Sequence, residues 1–174
     1  AARRNFALPV RFAALTHDLG KATTPAEILP RHIGHEMRSV QLVTVLCERL
    51  RVPGECRDLA LLAARYHGDI HRAAELRATT LVTLLERTDA LRRPERFSQL
   101  LQACQCDFNG RLGWQDRPYD SPQHLLAVLA AVRGCRMVCS GVPYNEVEFV
   151  LLAGLLRLLG VRTVLLCVSK FDDY

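Results

Sequence analysis

The chain reads as an all-α protein, and three observations predict this. Apolar residues recur at three- and four-residue spacings along most of the 174 residues. Prolines and glycines fall where those patterns stop, as helix punctuation does. One short run near the C-terminus, Val161-Arg-Thr-Val-Leu-Leu-Cys-Val168, is the only strand-like segment.

Pro9 opens the first helix, with Val10, Phe12, Ala13 and Leu15 directed at a core and Gly20 as its stop. Thr23-Thr-Pro-Ala-Glu-Ile-Leu-Pro30 is a loop leading to Arg31-His-Ile-Gly-His35. A second helix runs from Glu36 through Val40, Val43, Leu46, Cys47 and Leu50 to Pro53. The third spans about Glu55 to His67, with Leu59, Leu62, Ala63 and Tyr66 inward and Gly68 as its end. The fourth covers about Thr79 to Arg92, turning Leu81, Leu84, Leu85 and Thr88 inward. Pro94 starts the fifth, which carries Phe97, Leu100, Leu101 and Cys104. The Gly-, Pro-, Asn- and Asp-rich stretch from Asp107 to Pro122 is expected to be loop. Helices are expected again over residues 123–133 and 145–159.

A hydrophobic fraction of 49% argues for a globular body and against disorder. The net charge of +5 comes from arginine, since Lys21 and Lys170 are the only lysines. Guanidinium forks match phosphate, which points to nucleic acid; the alternative is that arginine merely coats exposed helix faces. Seven cysteines show no framework spacing, and Cys47, Cys56 and Cys167 fit reduced core positions. Cys104 and Cys106 with Cys135 and Cys139 would make a four-thiolate site only with unusual spacing. Ala1-Ala-Arg-Arg-Asn has no signal-peptide character, and a reducing cytoplasm is expected. Residues 147–168 are apolar but include Glu148, Arg157 and Arg162. An arginine near the centre of a span costs about 2.5–3.5 kcal/mol, so no membrane association is expected.

His17-Asp18 is the pair that carries chemistry. An imidazole and a carboxylate side by side at a helix end suit two ligands of one divalent ion. His35 at the start of the second helix, His67 at the end of the third and Asp89 on the fourth lie where helix ends can aim them at one cavity. Such a mixed shell suits Mn, Fe, Co, Ni or Zn better than Mg. The ion would activate water and polarise a phosphoryl oxygen, while Lys21 and Arg72 neutralise phosphate charge. Each residue also has a plainer role. His17 and His35 fit helix caps, and Asp18 and Asp89 fit exposed acids. For Asp18 the helix dipole opposes a negative charge at a C-terminus, and a bound cation would explain it. His32 is a weaker candidate, His71 a surface or phosphate-facing residue, and His124 an ordinary helix residue.

The chain resembles the C-terminal portion of bacterial tRNA nucleotidyltransferases, the multifunctional CCA-adding type with an HD domain. The resemblance is carried by Val10-Arg-Phe-Ala-Ala-Leu-Thr-His-Asp-Leu-Gly-Lys21, Leu29-Pro-Arg-His-Ile-Gly-His35 and Leu50-Arg-Val-Pro-Gly-Glu-Cys-Arg-Asp58. It continues through His67-Gly-Asp-Ile-His-Arg72, Arg87-Thr-Asp-Ala-Leu-Arg-Arg-Pro94 and Asp107-Phe-Asn-Gly-Arg-Leu-Gly113. It implies an HD-domain-like helical bundle over residues 1–120, with residues 121–174 a helical tail that departs from the family after about residue 134. It also implies a parent enzyme that adds C, C and A to tRNA 3′ ends from CTP and ATP with Mg. The HD portion is then a 2′,3′-cyclic phosphodiesterase, 2′-nucleotidase and phosphatase with a preference for nickel. Its substrates are small cyclic or 2′-phosphorylated nucleotides, and tRNA is its partner.

Transferred by position, His17, Asp18 and His67 are the expected catalytic residues, and His35 and Asp89 complete the metal set. Lys21, Arg31, Arg72, Arg92 and Arg93 are the expected phosphate or RNA contacts. The chain departs from the pattern in three ways. It has no Gly-Gly-x-x-Arg phosphate loop or Asp-x-Asp pair, so it is not expected to add nucleotides alone. It lacks the separate upstream histidine with which HD domains begin, and Gly68 stands where some relatives carry aspartate. The competing reading is a non-catalytic tRNA-binding body in which Arg31, Arg38, Arg72, Arg92, Arg93 and Arg111 grip the backbone. A truncated, frame-shifted product without activity is the third.

Overall fold

In the computed structural model, residues 4–134 are described. Among them the α-helices are α1 (Leu8–Thr16), α2 (His35–Leu50), α3 (Gly54–His71), α4 (Ala78–Arg87), α5 (Pro94–Gly110) and α6 (Ser121–Gly134). Short 3₁₀ turns at Leu19–Thr23, Ala26–Ile28 and Ala73–Glu75 punctuate the connections. No strand occurs among the described residues. The strand-like run 161–168, the expected helix 145–159, Cys135, Cys139 and Cys167 lie outside them. By its contacts the chain divides into Ala1–Leu126 and Ala127–Tyr174, and the site lies in the first unit. No helix among the described residues is long and apolar enough to cross a membrane.

α3 is the central element, packing against α1, α2 and α5. Its sequence explains this. Leu59, Ala60, Ala63, Ala64, His67 and Ile70 are all buried, and the alanines let neighbouring helices approach closely. The helix runs through Gly68 to His71 instead of stopping there, contrary to the sequence expectation. A mid-helix glycine costs about 1 kcal/mol. Complete burial of Leu59 and Ile70 contributes about 1.5–3 kcal/mol each, so packing overrides propensity.

α1 begins with its proline in the first turn and buries Val10, Ala13 and Thr16, three residues apart. Leu15, expected inward, lies off that stripe and is 79% exposed. α2 buries Ser39, Val43 and Cys47, again on one face. It ends on Arg51 in the left-handed region (φ 50°), with Val52 N–H bonded to Cys47 O. α4 ends the same way and earlier than expected. Asp89 adopts φ 57°, Asp89 N–H bonds Glu86 O at 2.9 Å and Ala90 N–H bonds Leu85 O at 2.9 Å. α5 is longer than expected: Asp107 to Gly110 form its last turn rather than loop. Contacts of Asp107 and Phe108 with residues outside the helix hold that turn.

Gly20 does not stop α1, which ends at Thr16. Its role is close approach. A Cβ there would collide with His35 O and Ser39 N, and Gly20 N–H donates to Ser39 Oγ at 2.8 Å. The turn after His17-Asp18 is thereby pressed onto the start of α2. Both colliding atoms are backbone, which cannot swing aside. Gly20→Ala is expected to destabilise the fold by about 1–3 kcal/mol, read as a lower urea midpoint at unchanged m-value.

Candidate metal centre

Four helix ends or faces deliver the polar side chains. His17 caps the C-terminus of α1, and Asp18 precedes the 3₁₀ turn Leu19–Thr23. His35 is the first residue of α2, while His67 sits on the buried face of α3. Ligand atoms of His17, Asp18 and His67 lie within 4.8 Å of one another. His35 joins them, with Nε2 3.3 Å from Asp18 Oδ1 and 3.1 Å from His67 Nε2. His67 Nε2 is 3.5 Å from the same carboxylate oxygen.

The protonation pattern follows from the backbone. Nδ1 of His17 meets Ala14 O at 3.0 Å, Nδ1 of His35 meets His32 O at 2.9 Å and Nδ1 of His67 meets Ala63 O at 2.9 Å. A carbonyl oxygen can only accept, so each Nδ1 carries the hydrogen. A ring with its single hydrogen on Nδ1 turns a bare Nε2 lone pair toward Asp18. His17 Nε2 and Asp18 Oδ1 are buried with no hydrogen-bond partner. Facing lone pairs at 3.1 Å repel unless a proton or a cation lies between them. Buried imidazole nitrogens and a carboxylate in this arrangement fit a divalent transition metal.

Electrostatics describe what stands there without an ion. Burial disfavours a charge on His17, but the Asp107 and Asp18 carboxylates beside it outweigh that and raise its pKa to about 9. Nε2 lies between Asp18 Oδ2 at 3.2 Å and Asp107 Oδ1 at 3.5 Å. Burial, reinforced by the charge on His17, lowers His67 to about 4 and keeps it neutral. For Asp18, burial is overcome by His17 and Lys21, whose Nζ lies 2.6 Å from Oδ2, and its carboxyl falls below the usual range. Asp107 is likewise held well below that range: His17 and His71 outweigh its burial.

Asp89 is not part of this group. It is the left-handed cap of α4, and its carboxylate is taken by Arg92 at 2.6 Å and by Arg93 and Arg96 at 3.4 Å. Among the described residues no hydrogen bond or ion pair joins it to His17, Asp18 or His67. The acid that reaches His17 from a distant helix is Asp107, which the sequence placed in a loop. His71 also differs from expectation. Because α3 continues through Gly68, His71 lies one turn beyond His67, and the two rings are 6.1 Å apart. Its Nε2 is 2.7 Å from Asp107 Oδ2. The four-residue spacing of His67 and His71 was the available signal, and reading Gly68 as a helix breaker hid it.

The expected phosphate contacts divide. Lys21 is at the cluster, paired with Asp18. Arg72 is exposed and pairs with Asp69, Arg92 and Arg93 hold Asp89, and Arg31 is exposed on the loop before α2. Arg38 is structural, bonding Gly20 O, Ile33 O and Thr24 Oγ1. His32 binds Thr24 Oγ1 and stays out of the cluster, and His124 is exposed on α6. Cys47, Cys56, Cys104 and Cys106 are free thiols.

Known proteins match this chain in the region that builds the site. Over 132 residues it is 77% identical to a protein of Dechloromonas aromatica (strain RCB) named "Multifunctional CCA protein", covering 76% of this chain and 32% of the relative. Proteins of the same name from Burkholderia vietnamiensis (strain G4 / LMG 22486) and Burkholderia lata are each 62% identical over 133 residues, with the same coverage. The chain thus spans about a third of the length of these relatives. No solved structure matches it. The HD domain family matches residues 4–132, from before α1 into α6, and the chain belongs to that family.

Proposed function

We propose that this domain is a metal-dependent phosphohydrolase acting on 2′,3′-cyclic phosphates and 2′-phosphomonoesters, within a protein that matures and repairs tRNA 3′ ends. One observation carries the reading: three histidines with Nδ1 tied to backbone carbonyls turn Nε2 toward the Asp18 carboxylate, whose Oδ1 is buried without a hydrogen-bond partner. His17, Asp18, His35 and His67 would hold the ion, with Asp107 at its edge. Nickel or manganese suits this nitrogen-rich set, and magnesium belongs with a nucleotide-adding activity in the longer relatives. A bound ion supplies Lewis acidity, lowering the pKa of water from 15.7 toward about 7 and polarising a phosphoryl oxygen. Lys21, beside Asp18, offers the cation that draws phosphate in. His17, Asp18 and His67 are the catalytic residues in this reading. The free thiols fit a reducing cytoplasm.

Metal analysis of the purified chain, paired with phosphate chemistry, tests the proposal. One equivalent of transition metal and hydrolysis of 2′,3′-cyclic AMP with added Ni or Mn are expected. A metal-free chain that neither takes up these ions nor hydrolyses the ester overturns it.

A second reading, a non-catalytic tRNA-binding body, is favoured by a different feature. Trp114 has the guanidinium of Arg117 4.8 Å and that of Arg111 5.3 Å from its ring centroid. Such arginine–aromatic surfaces suit phosphate and stacked bases. Affinity for tRNA would then fall with salt at a log–log slope of about −0.7 to −0.9 per phosphate contact.

A further inference from the structure

His71 and Tyr119 belong to neither the ligand group nor the arginine surface, yet both are tightly held. His71 Nε2 lies 2.7 Å from Asp107 Oδ2, and Tyr119 Oη lies 2.9 Å from His71 Nδ1. Tyr119 is buried and stacks on Phe108 with centroids 4.5 Å apart, and Ser121 Oγ donates to His71 O at 3.3 Å. The hydrogen positions follow from the partners. A carboxylate only accepts, so His71 carries its hydrogen on Nε2. Its Nδ1 is then an acceptor, and the Tyr119 hydroxyl donates to it.

This is the opposite tautomer from His17, His35 and His67, each of which donates from Nδ1. His71 therefore has no lone pair to offer the cluster at Nε2. It fixes Asp107 instead. With Oδ2 occupied by His71 at 2.7 Å and approached by Arg111 at 3.5 Å, Oδ1 is the oxygen left facing His17.

We propose that Tyr119 and His71 are positioning residues: the Tyr119 hydroxyl anchors the His71 ring through Nδ1, and His71, its hydrogen fixed on Nε2 by the carboxylate, holds Asp107 Oδ1 at the edge of the metal centre. The inference rests on the metal reading above. Residues outside the ligand shell that orient a ligand commonly change metal affinity by about 10–100-fold.

The test is cobalt(II) titration of the full chain, followed by d–d absorption, with the melting temperature of the metal-free protein measured alongside. Tyr119→Phe removes only the hydroxyl, and with it the hydrogen bond that anchors the His71 ring at Nδ1. A Kd about tenfold to hundredfold weaker and an altered cobalt spectrum are expected. His71→Ala should match or exceed that loss. His71→Gln in the Tyr119→Phe background restores a donor to Asp107 that needs no tyrosine, and should recover much of the affinity. A purely structural role would shift melting temperature without changing the cobalt spectrum. Parent-like affinity and spectrum in both Tyr119→Phe and His71→Ala overturn this proposal while leaving the metal centre standing. A parent chain that binds no cobalt sinks both.

Discussion

Replacing Asp18 with asparagine is expected to weaken divalent-metal binding by at least about 100-fold while the helices remain folded. Asp18 is the only carboxylate in the group whose ligand atoms lie within 4.8 Å. Oδ1 faces His35 and His67, and Oδ2 meets His17 and Lys21. Asparagine preserves shape but removes the negative charge that balances any cation placed among three imidazoles. Loss of a residue that merely orients a ligand costs about 10–100-fold, so loss of the charged ligand begins where that range ends. The effect on folding is smaller. The side chain is 28% exposed, and water screens its ion pairs, so roughly 1 kcal/mol of stability is at stake. Nickel or cobalt titration and a urea melt measure the two separately, and hydrolysis of 2′,3′-cyclic AMP should fall with affinity. Parent-like affinity in Asp18→Asn would remove Asp18 from the ligand set.

What the sequence made legible divides along physical lines. The all-α class follows from apolar periodicity, a local signal, and so does the start of α2 that carries His35. The misreadings involve residues whose conformation is settled by distant partners. Gly68 looks like a breaker, yet α3 is packed by three other helices and passes through it. Asp107 begins a Gly- and Asn-rich segment, yet its contacts with His17 and His71 keep it in the last turn of α5. Asp89 offers the inverse lesson. Its place on the fourth helix suggests a ligand, but a left-handed backbone and three arginines give it a capping role. Three-dimensional neighbours, not residue type, decide which acid stands beside His17.

The sharpest consequence of the proposed metal site concerns pH, because a proton and a metal would compete for His17 Nε2. With the pKa of His17 at about 9, binding an ion at pH 7 must expel that proton. Apparent affinity at pH 7 should therefore be about 100-fold below its alkaline plateau, rising about tenfold per unit up to about pH 9. His67, lowered to about 4, is already neutral and adds no competition in this window. Stability of the metal-free protein moves the other way. His17 is raised above its unfolded value of 6.5, so its contribution of about 3 kcal/mol is present below that value and lost as pH rises through 9. His67 is depressed, so the folded state loses stability as pH falls from 6.5 toward 4. Asp18 and Asp107, both lowered, add further loss as the solution is acidified below 3.8. The metal-free chain is thus most stable near pH 6.5, whereas stabilisation by added nickel grows from there to about pH 9. Melting curves with and without nickel across that range should diverge. If the nickel-induced shift is constant with pH, no proton leaves His17 on binding, and His17 is not a ligand.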